Sequence, residues 1–188
     1  MELRAGAILE LLTAFEPDGV EEPRHLESIR HLLRSTSTPF SRSQFDPGHV
    51  TASAFIIDPT GSRLLLHHHR RLDRWLQMGG HVDEGELVID AALREAREES
   101  GLDELALAGT MPFDLDVHAI PAGKGEPAHL HFDVRFVVRA ARPESIRVAA
   151  DESLDLRWFT FDEALEAMGS SESARAIGKL RRTAAGVS

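Results

Sequence analysis

Leu3, Ile8, Leu11, Leu12 and Phe15 recur at helical spacing until Pro17-Asp18-Gly19 breaks the pattern. Leu26, Ile29, Leu32 and Leu33 form a second helical stripe, and Pro23 suits the first turn of that helix. Residues 35–48 are polar, carry Pro39 and Pro47, and read as a linker. Residues 1–48 are therefore expected to form a helical extension, serving packing or dimerisation or else capping a substrate. The texture then changes. Residues 50–57 are a predicted strand stopped by Asp58-Pro59-Thr60-Gly61, and residues 63–69 return across a hairpin. Residues 75–85 read as a glycine-rich loop. Residues 86–100 are charged and alanine-rich, which favours a helix, and Gly101 lies where a C-cap is needed. Two strands are expected over 113–120 and 129–139, and a short one over 157–159. Thr160-Phe161-Asp162-Glu163 is a capping box opening a helix to about Met168, and residues 172–182 read as a last helix. Helices mixed with hairpin-linked strands predict an α+β fold, an α/β/α sandwich with a mixed sheet, over residues 49–188.

Composition narrows the classes. Of 188 residues, 42% are hydrophobic and 28% charged, enough to bury a core. Cysteine and tyrosine are both absent, which excludes disulfides, thiolate metal sites and a cysteine nucleophile, and fits a reducing cytoplasm. A net charge of −10 argues against nucleic acid and anionic membrane as partners. The N-terminal apolar run is short and interrupted by Glu10, so no signal peptide is expected, and no stretch approaches a membrane span.

The chemistry concentrates in the helix over 86–100. Each helical residue advances about 100°, so relative to Glu95 the Glu99 side chain lies near +40° and Glu98 near −60°. Three carboxylates then share one face and repel. Arg94 can pair with Glu98 four residues on, but one cation does not neutralise three anions. A divalent cation would, and hard oxygen donors point to Mg²⁺ or Mn²⁺. Gly79 and Gly80 lack Cβ atoms, so the backbone of that loop can approach the ion and offer a carbonyl.

Residues 80–102 match the Nudix box, G-x5-E-x7-R-E-U-x-E-E-x-G-U with U apolar. Gly80, Glu86, Arg94, Glu95, Glu98, Glu99 and Gly101 supply every fixed identity, with Ala96 and Leu102 at the U positions. At roughly 7% per residue type, a chance match is on the order of 10⁻⁶. The sequence thus resembles the Nudix hydrolases, and the expected strand order over about 49–168 is similar to their fold.

That resemblance implies hydrolysis of a nucleoside diphosphate linked to another moiety, by metal-activated water attacking phosphorus. It implies that Glu98 is the central metal ligand and that Glu95 and Glu99 flank it, one of them able to orient water instead. The carbonyl of Gly79 matches a backbone ligand, Arg94 the arginine that orients the glutamates, and Glu86 a structural position. Asp151-Glu152-Ser153, before Arg157-Trp158-Phe159, is similar to an acidic loop of relatives, which makes Glu152 the candidate base or extra ligand. Two alternatives are an isoprenyl diphosphate isomerase, which needs a cysteine this chain lacks, and a non-catalytic Nudix-like binding or regulatory module.

Signals beside the box are weaker. His67-His68-His69 end a strand and are expected at its rim, with Arg70, Arg71 and Arg74 following. Arg70 and Arg74 are candidates for gripping a substrate phosphate or carboxylate. His129, His131, Asp133 and Arg135 alternate with Leu130, Phe132, Val134 and Phe136. Such a polar face is usually solvated, but His131 and Asp133 are candidates for touching substrate or a further metal, since His-x-His on a strand can chelate. Trp75 is expected to anchor the glycine loop, and Lys124 is a candidate phosphate contact.

Overall fold

A computed structural model of the chain describes residues 3–123, 125–149 and 153–185. Its elements are α1 (Leu3–Thr13), α2 (Glu22–Ser35), β1 (Gly48–Ile57), β2 (Arg63–His69), β3 (Arg74–Leu76), β4 (Met78–His81), α3 (Val88–Ser100), β5 (Leu105–Leu107), β6 (Asp114–Ile120), β7 (His129–Ala140), a 3-10 turn (Pro143–Ser145), β8 (Ser153–Thr160), α4 (Phe161–Met168) and α5 (Ser171–Ala185). The strands form one mixed sheet along the path β3-β2-β1-β7-β5, with β4 on β1, β6 on β7 and β8 on β2. The class is α+β, as expected.

The chain divides into two compact units, and β1, β4, α3 and β7 contribute residues to both. The first unit holds residues Met1–Ser53, Gly80–Ala92 and Gly109–Phe136. Here α2 buries Leu26, Ile29, Leu32 and Leu33, the stripe read from spacing. Each such aliphatic side chain removed from water contributes about 1.5–3 kcal/mol. Glu22 joins them, wholly buried, because its carboxylate accepts the N–H groups of Leu115 at 3.0 Å and Asp18 at 2.5 Å. The α2 helix is thus tied to β6 by a side-chain bond to its backbone as well as by packing. Gly48 is required at the start of β1, since a Cβ there would stand 1.8 Å from the Leu130 carbonyl oxygen.

The alternation along β7 is as read, but its polar face is not solvated. His129, Asp133 and Arg135 are buried. Arg135 donates to Asp133 at 2.8 Å, Asp116 at 2.8 Å and Asp114 at 3.2 Å. Asp133 also accepts from Thr51 at 3.2 Å and from Ser53. Burial alone would lower the Arg135 pKa, yet Asp133, Asp116 and Asp114 together hold it above the usual value. Arg135 is shared among the three carboxylates and two hydroxyls further satisfy Asp133, which offsets part of the cost of burying this face.

The second unit holds Ala54–Gly79, Leu93–Ala108 and Val137–Ser188. Its β2 pairs with β8 from Arg63↔Thr160 to His69↔Ser153, so β8 is longer than the three residues expected. The β2–β3 register, His68↔Trp75 and His69↔Arg74, draws the start of the expected glycine loop into the sheet. Pairing to a neighbour overrides weak local strand preference, which is why β3, β4 and the short β5 form where local spacing predicts no strand. The capping box at α4 is present with both reciprocal bonds, and Gly169 ends that helix in the left-handed conformation. Gly101 ends α3 at φ +67°, with its N–H on the Arg97 carbonyl at 2.8 Å.

Candidate active site

The C-terminal half of α3 carries the glutamates. Arg94 lies between two of them, donating through one nitrogen to Glu95 at 2.8 Å and Glu98 at 3.1 Å. The expected Arg94–Glu98 pair is therefore present, and Glu95 shares it. The side chain of Glu98 is 59% exposed, that of Glu95 only 13%. Glu99 is buried at 3% exposure and accepts the Gly79 N–H at 2.8 Å. That bond ties the loop before the box to the glutamate helix, so Gly79 and Glu99 are held together by the fold.

His67 is buried against this carboxylate, rather than lying at the strand rim. Its Nδ1 is 3.8 Å from Glu99 and 2.8 Å from the Ser153 hydroxyl. Burial, reinforced by the neighbouring His69, pushes its pKa down to about 4. The ring is neutral at pH 7 and does not discharge Glu99. The other two histidines of the run build the turn. The His69 Nδ1 accepts the N–H groups of Arg71 at 3.1 Å and Leu72 at 3.2 Å, while His68 stacks on Trp75 at 5.1 Å. Trp75 is half-buried and also meets Phe159 edge-on at 4.9 Å, consistent with anchoring the loop.

Arg70 and Arg74 are exposed on either side of the β2–β3 turn. Glu86 closes the box loop, its carboxylate accepting the Asp83 N–H at 3.0 Å. Arg4 of α1 donates to the Asp83 carbonyl at 2.9 Å, an N-terminal tie to the box that spacing did not reveal. Glu152, Asp151 and Lys124 lie outside the described residues. Asp133 is engaged by Thr51, Ser53 and Arg135, as above, whereas His131 sits among other imidazoles. Among the described residues, His49, His129 and His131 are the group whose ligand atoms all lie within 4.8 Å of one another.

The donors around α3 suit a hard divalent cation. Glu95, Glu98 and Glu99 offer carboxylate oxygens, with Arg94 paired to the first two and the buried His67 ring beside the third. No helix among the described residues is long and apolar enough to cross a membrane.

A family model for the NUDIX domain matches residues 47–180. Among solved structures, an Ap4A hydrolase of C. elegans, in a binary complex, aligns at TM-score 0.60 and 20% identity, over 73% of this chain and 98% of that one. The dihydroneopterin triphosphate pyrophosphohydrolase of E. coli aligns at TM-score 0.55 and 22% identity, over 69% and 92%. A MutT Nudix hydrolase of Burkholderia pseudomallei aligns at TM-score 0.50 and 28% identity, over 69% and 95%. With the family match spanning most of the chain, the chain belongs to the Nudix family and is a Nudix-type pyrophosphohydrolase.

Proposed function

We propose that this pyrophosphohydrolase cleaves a nucleoside diphosphate linked to another moiety, with Mg²⁺ or Mn²⁺ held by Glu95, Glu98, Glu99 and the Gly79 carbonyl. The observations that support the reading are the complete set of box residues and two ties, one from Arg94 to Glu95 and Glu98 and one from Gly79 to Glu99. When bound, the ion supplies Lewis acidity at a phosphoryl oxygen and lowers the pKa of water. Arg94 holds two carboxylates in place. The Gly79 N–H and the neutral His67 fix the rotamer of Glu99 while leaving its charge for the cation. Glu152 is the candidate base, on its place in the acidic loop before the Arg157-Trp158-Phe159 strand. Arg70 and Arg74 are positioned on an exposed turn where an anionic substrate could reach them.

Residues 1–48 serve as a packing element and a candidate homodimer contact, and the absence of cysteine suits a cytoplasmic location. Ap4A is the substrate named for one structural neighbour, and dinucleoside polyphosphates head the panel to test. The test is product analysis over dinucleoside polyphosphates, nucleotide sugars, ADP-ribose-like compounds, CDP-alcohols and nucleoside triphosphates, with Mg²⁺, Mn²⁺ or EDTA. Metal-dependent release of a nucleoside phosphate from one class supports the proposal. Metal binding without turnover of any class would favour a binding module instead.

A further inference from the structure

In the first unit four imidazoles gather around that of His131. Ring centroids lie 4.9 Å from His49, 5.2 Å from His129, 5.6 Å from His81 and 5.6 Å from His118.

Hydrogen bonds fix the tautomers. The Nδ1 of His49 is 3.0 Å from the Gln44 carbonyl, and the Nδ1 of His129 is 2.9 Å from the Pro127 carbonyl. A carbonyl only accepts, so each Nδ1 carries the proton and each Nε2 presents a lone pair. The Nε2 of His49 is buried, in a residue 1% exposed, and has no hydrogen-bond partner. Leaving such a group unsatisfied costs about 1–3 kcal/mol. A ring whose far nitrogen donates to a backbone carbonyl is the usual state of a metal-ligating histidine.

We propose that His49, His129 and His131 form a second metal site, for a borderline divalent transition ion of the zinc class, made of none of the box glutamates. Their ligand atoms lie within 4.8 Å of one another. Tetrahedral zinc at about 2.0–2.1 Å from each nitrogen needs the nitrogens about 3.3 Å apart, inside the 4.8 Å within which these atoms lie, so loading draws the rings together. Imidazole donors select such ions over Mg²⁺, and three protein ligands leave a fourth position for water. The local charge agrees. His118, bonded to Asp116 at 2.9 Å, connects the cluster to Asp114, Asp116 and Asp133, where three buried carboxylates face the single guanidinium of Arg135. A dication beside them offsets the excess.

The test uses untagged, chelator-stripped protein titrated with Co²⁺ and then Zn²⁺ at pH 7.5 in excess Mg²⁺. One equivalent of Co²⁺ with visible ligand-field absorption, displaced by Zn²⁺ and not by Mg²⁺, is expected. The half-buried His131→Gln and the buried His129→Gln should each weaken binding by more than about 100-fold, the upper range for merely supporting residues. Glu98→Gln should bind Co²⁺ as the wild type does, even if the proposed hydrolysis fails, so the two claims stand or fall separately. X-ray absorption of the zinc-loaded wild type needs no variant and should show imidazole scattering with nitrogen at about 2.0–2.1 Å. No binding in excess Mg²⁺, unchanged affinity in both histidine variants, or an oxygen-only shell would overturn the site.

Discussion

Glu98→Gln separates a metal-ligating face from a merely solvated one, because the two predict different pairs of outcomes. In the folded protein without metal, Glu98 is over half exposed and its resolved partner is Arg94, four residues earlier. Losing that pair costs about 0.3–0.5 kcal/mol. Removing repulsion from Glu95, three residues away, returns about 0.2–0.5 kcal/mol. The metal-free stability should therefore change by less than about 0.5 kcal/mol, a Tm shift under about 2 °C for a chain this size. Activity should fall by more than about 100-fold, which at 1.36 kcal/mol per decade is over 2.7 kcal/mol of lost transition-state stabilisation. The Mg²⁺-induced rise in Tm, worth about 2.7 kcal/mol at a hundred times Kd, should shrink in parallel. Thermal melts with and without Mg²⁺, beside initial rates on the best substrate, measure all three. A variant within tenfold of wild-type rate, or one that loses several kcal/mol without metal, would refute the reasoning.

Three further outcomes follow from particular contacts. Arg135→Met should lower stability by about 3–5 kcal/mol in urea titration, since it strands Asp114, Asp116 and Asp133 as buried charges. Gly101→Ala should cost more than Gly169→Ala, although their φ angles are +67° and +63°. Both pay about 1–2 kcal/mol for the left-handed backbone, but a Cβ at Gly101 would also lie 2.7 Å from that of Arg147; equal losses would contradict this. The metal-free protein should lose stability as pH falls below 6.5. His67 and His81 titrate near 4 in the fold and His131 near 2, so the unfolded chain takes up protons first. The slope approaches about 1.4 kcal/mol per pH unit for each histidine held neutral, and stability is complete above 6.5. Urea midpoints at pH 7.5 and 5 that coincide would count against buried neutral imidazoles.

What local spacing encodes, the sequence shows directly. The box, the α2 stripe, the α4 capping box and the Gly101 cap each depend on residues within a few turns of one another, and each is found where spacing places it. The strands β3, β4 and β5 depend on partners instead. Arg74–Leu76 is a strand because β2 holds it in register, not because its own residues demand it. The same limit hid the burial of His67, which depends on Ser153 and Glu99, and the burial of the β7 polar face, which depends on Thr51, Ser53 and Asp114. His-x-His at 129 and 131 was half of a signal. His49, eighty residues earlier, completes the trio only through the fold, and a lone histidine opening a strand gives no local warning of it.

Turnover of the best substrate in ¹⁸O-water, with Mg²⁺ and then with EDTA, tests the central claim most directly. The account predicts that ¹⁸O enters a phosphoryl product, that EDTA abolishes the reaction and that added Mg²⁺ restores it. Undiminished turnover in EDTA, or label in the moiety attached to the diphosphate, would contradict metal-dependent attack of water on phosphorus at the α3 glutamates.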